Sequence, residues 1–65
     1  MRLFSWLSRL NPDEADVRSE IWRLGNRHRG EPLMGAREEL AARGLTPERA
    51  QLLRACVRRL EAKVR

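Results

Sequence analysis

The chain has 65 residues, a net charge of +5 and one cysteine, which allows a single small domain and excludes an internal disulfide. A domain of this size buries only about 60% of its unfolded surface, so its stability margin is thin and a binding partner is expected on energetic grounds. No apolar run approaches the roughly 18 residues of a membrane span, the apolar start is too short for a signal peptide, and the lone Cys56 suits a reducing compartment; the expected location is the cytoplasm.

Residues 1–10 stand apart. Read as a helix, they put Arg2, Ser5 and Arg9 on one side and Leu3, Leu7 and Leu10 on the other, with Phe4 and Trp6 beside the leucines. Two of the three aromatic residues of the chain are here. Such a basic, aromatic, amphipathic segment suits three fates. It can fold back over the domain's own core, insert into a groove on another protein, or seat shallowly at a membrane surface. Phe4, Trp6 and Leu7 are its expected partner contacts.

Residues 11–65 read as a three-helix domain, so the expected fold is an all-α three-helix bundle preceded by the amphipathic segment. Asn11-Pro12-Asp13-Glu14 offers an N-cap, a proline for the first helical position and acids for the first turn. Val17, Ile21, Leu24 and His28 then recur at spacings of four, three and four, which is one helix face. Gly25 and Gly30 are both possible ends. The periodicity reaches His28 and favours Gly30, with Gly25 inside the helix at a cost of about 1 kcal/mol that a closely packed neighbouring backbone would offset. Trp22, beside Ile21 on the shoulder of this face, is expected chiefly as a core side chain, with an interface anchor as the alternative.

Glu31-Pro32 begins the second helix, with Leu33, Ala36 and Leu40 on one face and Gly44 as its stop. Thr46-Pro47-Glu48 repeats the start signal. The third helix carries Ala50, Leu53, Val57, Leu60 and Val64 as a heptad seam, and Leu52 and Cys56 as a second apolar strip. Two adjacent apolar strips call for two neighbours: the first two helices, or a second copy of the chain. Glu39 before Arg43 and Glu61 before Arg65 are favourably ordered pairs four residues apart.

Three sets of residues are candidates for function. Arg27, His28 and Arg29 lie between two glycines close to the start of the second helix, where backbone amides and guanidinium groups can hold a phosphate or carboxylate; they equally complement the negative end of the first helix dipole. Arg54, Arg58 and Arg59 belong to a segment, residues 49–65, with six basic residues against Glu61 alone. Uncompensated charge of this kind calls for an acidic partner. The third set is Phe4, Trp6, Leu7 and Trp22. One histidine and one cysteine give no metal-ligand pair and no nucleophile–base constellation, so no metal, cofactor or enzymatic activity is expected.

Residues 37–50 resemble a helix-turn-helix in the Leu40-Ala41 pair, the turn Gly44-Leu45 and the Thr46 cap. They depart from it in having two residues, not three, between Ala41 and Gly44, and in placing Pro47 and Glu48 where base-reading residues are expected. The expected function is therefore a small protein-binding adaptor, regulator or assembly subunit, working through the N-terminal segment and the basic face of the third helix. The alternative is a nucleic-acid-binding protein that holds phosphates through the same arginines. Self-association through spare apolar positions on the third helix is a further hypothesis, and peripheral membrane contact ranks lower.

Overall fold

The structure, a computed structural model, describes residues 12–64. It is an all-α three-helix bundle: α1 spans Glu14–Arg27, α2 Pro32–Leu40 and α3 Pro47–Lys63. Each helix packs against the other two.

Capping chemistry sets the boundaries. The Asp13 carboxylate accepts a hydrogen bond from the Asp16 amide at 2.8 Å, which makes Asp13 the N-cap of α1. The helix thus begins two residues later than an Asn11 cap would put it; Pro12 precedes the cap and Asn11 lies outside the described residues. A carboxylate at this end is also favoured by the helix dipole. At the other end α1 stops at Arg27, short of the expected Gly30. Arg29 and Gly30 both turn left-handed, with φ of 55° and 82°, and the Gly30 amide bonds back to the Gly25 carbonyl at 2.6 Å. This is the six-to-one closure of a Schellman turn. Gly30 therefore ends the turn rather than the helix, and Gly25 stays helical with open space where a side chain would project.

Pro32 and Pro47 occupy the first turns of α2 and α3, where a missing N–H costs nothing. The Thr46 hydroxyl accepts from the Arg49 amide at 3.1 Å and caps α3 as the sequence indicates. α2 finishes at Leu40, and the chain turns through Gly44 in a left-handed conformation (φ 82°).

The core consists of Val17 and Leu24 of α1, Ala36 of α2, and Leu53, Cys56 and Leu60 of α3, with Ile21, Leu40, Leu45, Leu52 and Val57 packed around it. The buried row of α3 is thus Leu53, Cys56, Leu60, rotated toward α1 from the expected seam. Val64, the last member of that seam, is 76% exposed. α1 and α2 together cover the two apolar strips of α3 as far as Leu60 and leave Val64 open.

Candidate functional site

Glu20 falls between Val17 and Leu24 on the buried row of α1 and is only 1% exposed. Such a carboxylate is tolerable only when paired and hydrogen-bonded. Arg49, in the first turn of α3, donates to Glu20 Oε2 at 2.6 Å, and Arg27, at the end of α1, donates to the same oxygen at 3.0 Å. The same two guanidinium groups also hold Glu39 of α2: Arg49 Nη2 lies 2.8 Å from Oε1, and Arg27 Nη2 lies 3.1 Å from Oε2. His28 completes the cluster, with Nε2 at 2.9 Å from Glu39 Oε2 and Nδ1 at 3.7 Å from Glu38. Two carboxylates, two guanidinium groups and an imidazole thus join all three helices at one end of the core.

Burial pushes both carboxyls up, but their partners win. Bonds and charge from Arg49 and Arg27 hold Glu20 below the ordinary carboxylate range. Bonds from His28, Arg49 and Arg27 bring Glu39 from 4.5 to about 2. The bond to Glu20 in turn raises Arg27 and Arg49. Every buried side-chain nitrogen and oxygen among the described residues has a partner. Cys56 is buried against this end of the core, its thiol directed at the Val17 carbonyl at 3.9 Å. Burial, aided by the charge of Glu20, pushes that thiol up to about 11, so it is protonated at neutral pH.

Two members of the expected anion site, Arg27 and His28, are brought together, and the anions they meet are carboxylates of this chain. Arg29 is exposed in the turn that follows. Glu39 faces Arg27 and Arg49 rather than Arg43, and Glu61 bonds Arg37 at 2.6 Å across to α2; Arg65 lies outside the described residues. Arg59 pairs with Glu14 of α1. Arg54 and Arg58 are exposed on the side of α3 away from the core, and neither forms an ion pair among the described residues.

Trp22 does not join the core. It is 71% exposed, because the buried row of α1 is Val17, Glu20 and Leu24, and at 100° per residue Trp22 falls on the opposite side. There it lines a shallow depression of about 430 Å³ with Ala15 and Ser19, flanked by Arg18 and Arg23. A second groove, of about 460 Å³, runs between the start of α2 and the end of α3, walled by Leu33, Met34, Leu60 and Val64 with Glu31 and Arg37 at its rim. Phe4, Trp6 and Leu7 lie outside the described residues.

Glu20 and Arg49 are the residues that reading the sequence misses. The signal was present: each keeps the three-and-four spacing of a buried row, Glu20 with Val17 and Leu24, Arg49 with Leu53, Cys56 and Leu60. Among the described residues there is no cluster of histidine, cysteine and carboxylates that could hold a metal ion, and no helix is long and apolar enough to cross a membrane. No family model, curated protein or solved structure matches the chain.

Proposed function

We propose that this chain is a non-enzymatic protein-binding module, an adaptor, regulator or assembly subunit, whose partner presents an acidic surface with an apolar recess. The observation that carries the reading is Trp22: a 71% exposed indole set between Arg18 and Arg23 on the outward face of α1. Tryptophan and arginine are the residue types most enriched among binding hot spots. A small domain that leaves its bulkiest apolar side chain in water forgoes about 2 kcal/mol of burial, a cost that a partner recovers.

Charge supports the same reading. Glu14, Glu20, Glu39 and Glu61 are occupied by Arg59, Arg27, Arg49 and Arg37 within the bundle, which leaves Arg54 and Arg58 on the outer face of α3 for a partner's carboxylates. The lone histidine is tied to Glu39 and the lone thiol is buried and protonated, so neither is equipped for nucleophilic chemistry.

The test is capture of partners by the tagged chain from nuclease-treated extract of its native cells, in parallel with Trp22→Ala and with Arg54→Glu/Arg58→Glu. A stoichiometric protein held by the parent and lost from Trp22→Ala supports the reading. Retention of nucleic acid alone, removed by nuclease and by Arg54→Glu/Arg58→Glu but indifferent to Trp22→Ala, replaces it with phosphate binding through α3, which should weaken steeply with salt.

A further inference from the structure

We infer that the groove between the start of α2 and the end of α3 seats this chain's own residues 1–10, through the side chains of Phe4 and Trp6. Leu33 and Met34 of α2 and Leu60 and Val64 of α3 form its walls around about 460 Å³. Met34 is 52% and Val64 76% exposed, so two large apolar side chains face water in a concave setting, the arrangement that marks a binding surface.

Charge and connectivity both select the occupant. At the rim, Arg37 is neutralised by Glu61, while Glu31 is exposed and enters no ion pair among the described residues. The groove therefore favours an apolar segment with basic flanks. Residues 1–10 contain Leu3, Phe4, Trp6 and Leu7, with Arg2 and Arg9 and no acid. The chain also enters the domain at the right place. Glu14 is held by Arg59, and Val17 receives the Cys56 thiol, so α1 begins beside residues 56–59 of α3. Leu60 comes next, and Val64 lies five residues past Arg59, about 7.5 Å of helix rise. The six residues from Trp6 to Pro12 span up to about 20 Å when extended, enough to bring the indole to the groove.

A second copy of the chain fits less well. Stable dimers bury about 800 Å² on each partner, and four side chains around a groove fall far short of that. A free peptide must also overcome the entropy of association. A tethered segment meets the groove at an effective concentration in the millimolar range, so a modest apolar contact is enough to close it.

The test uses the full chain carrying Trp22→Phe, which leaves Trp6 as its one tryptophan. Trp6 emission should be blue-shifted and several-fold less quenched by acrylamide than free tryptophan, equally at low and high protein concentration. Met34→Arg and Val64→Arg, each at a position already open to water, should return both readings to solvent values while helix content by circular dichroism stays unchanged. Nuclear Overhauser contacts from the Trp6 indole to the methyl groups of Met34 and Val64 should be present in the parent and absent in these variants. A solvent-like Trp6 in the parent, shielding that survives both groove substitutions, or shielding that arises only as the mass doubles would each overturn the assignment.

Discussion

Gly35 of α2 runs directly beneath the imidazole of His28: a Cβ at position 35 would overlap the Cγ and Cδ2 atoms of the ring. The glycine is buried, and the ring it admits is the one that bonds Glu39. The close approach that the sequence suggested for Gly25 is found here instead, and it is made by a side chain.

Gly35→Ala should therefore destabilise the domain by about 1–3 kcal/mol, the usual cost of overpacking, although alanine is the better helix former. His28 must leave Glu39 to make room. Gly25→Ala, with nothing within 4 Å of the added carbon, should stabilise by about 0.5–1 kcal/mol. Urea unfolding of the two variants checks the opposite signs.

Glu20→Gln should cost about 3 kcal/mol, the low end for breaking a buried ion pair, because Arg27 and Arg49 are 45% and 32% exposed and keep some hydration. Replacing Glu20 and Arg49 together by methionine should cost less than the sum of the two single replacements. A double-mutant cycle measured by chemical unfolding gives the coupling directly.

Acid should weaken the bundle within a defined window. Glu39 falls from 4.5 to about 2 on folding, and Glu20 is lowered as well. Below the unfolded value the unfolded chain binds protons that the folded chain refuses. Stability is therefore fully present above about pH 5 and declines as the pH drops toward 2. Urea midpoints measured from pH 7 to 2.5 should stay level and then fall, and Glu39→Gln should flatten the fall.

Cys56 should resist alkylation in the native protein at neutral pH, because its thiol is fully buried and raised to about 11. Labelling with iodoacetamide should become rapid only at urea concentrations that unfold the chain. A thiol that reacts quickly in native buffer would place Cys56 at a surface that opens.

Arg54→Glu/Arg58→Glu should leave the urea midpoint almost unchanged. Both side chains are exposed, and the variant exchanges one like-charge pair four residues apart for another, each worth only a few tenths of a kcal/mol. Partner capture by the same variant should fall sharply if α3 presents its outer face to carboxylates.

Much of the fold was legible because caps and prolines are local. Thr46-Pro47 and Glu31-Pro32 set the starts of α3 and α2 through bonds to residues three or four away. The α1 cap was misplaced because Asn11 and Asp13 carry equivalent oxygens, and only the backbone path chooses between them. Helix faces were harder. Apolar residues alone gave α3 the Ala50–Val64 seam, whereas the buried row includes Cys56 and continues to a charged residue, Arg49. Hydrophobicity discards charges, so an apolar pattern cannot reveal a row that ends in Arg49 or contains Glu20. The partners Glu20 and Arg49 lie 29 residues apart, beyond the reach of any spacing rule. Arg27 and His28 were recognised as anion-holding residues, but that their anion is Glu39 depends on the tertiary fold.

Arg49 binds Glu20 and Glu39 at once, and this ties the three helices into one all-or-none unit. An isolated α1–α2 hairpin would keep Arg27 and His28 beside the two carboxylates but lose the Arg49 guanidinium that bonds both. An α2–α3 fragment would lose Val17 and Leu24 from the core together with the Glu20 partner of Arg49. No pair of helices keeps both the apolar contacts and the electroneutrality of the whole. Proteolytic nicking anywhere between α1 and α3 should accordingly release an unfolded chain rather than a stable subfragment, and the domain's melting should be a single transition.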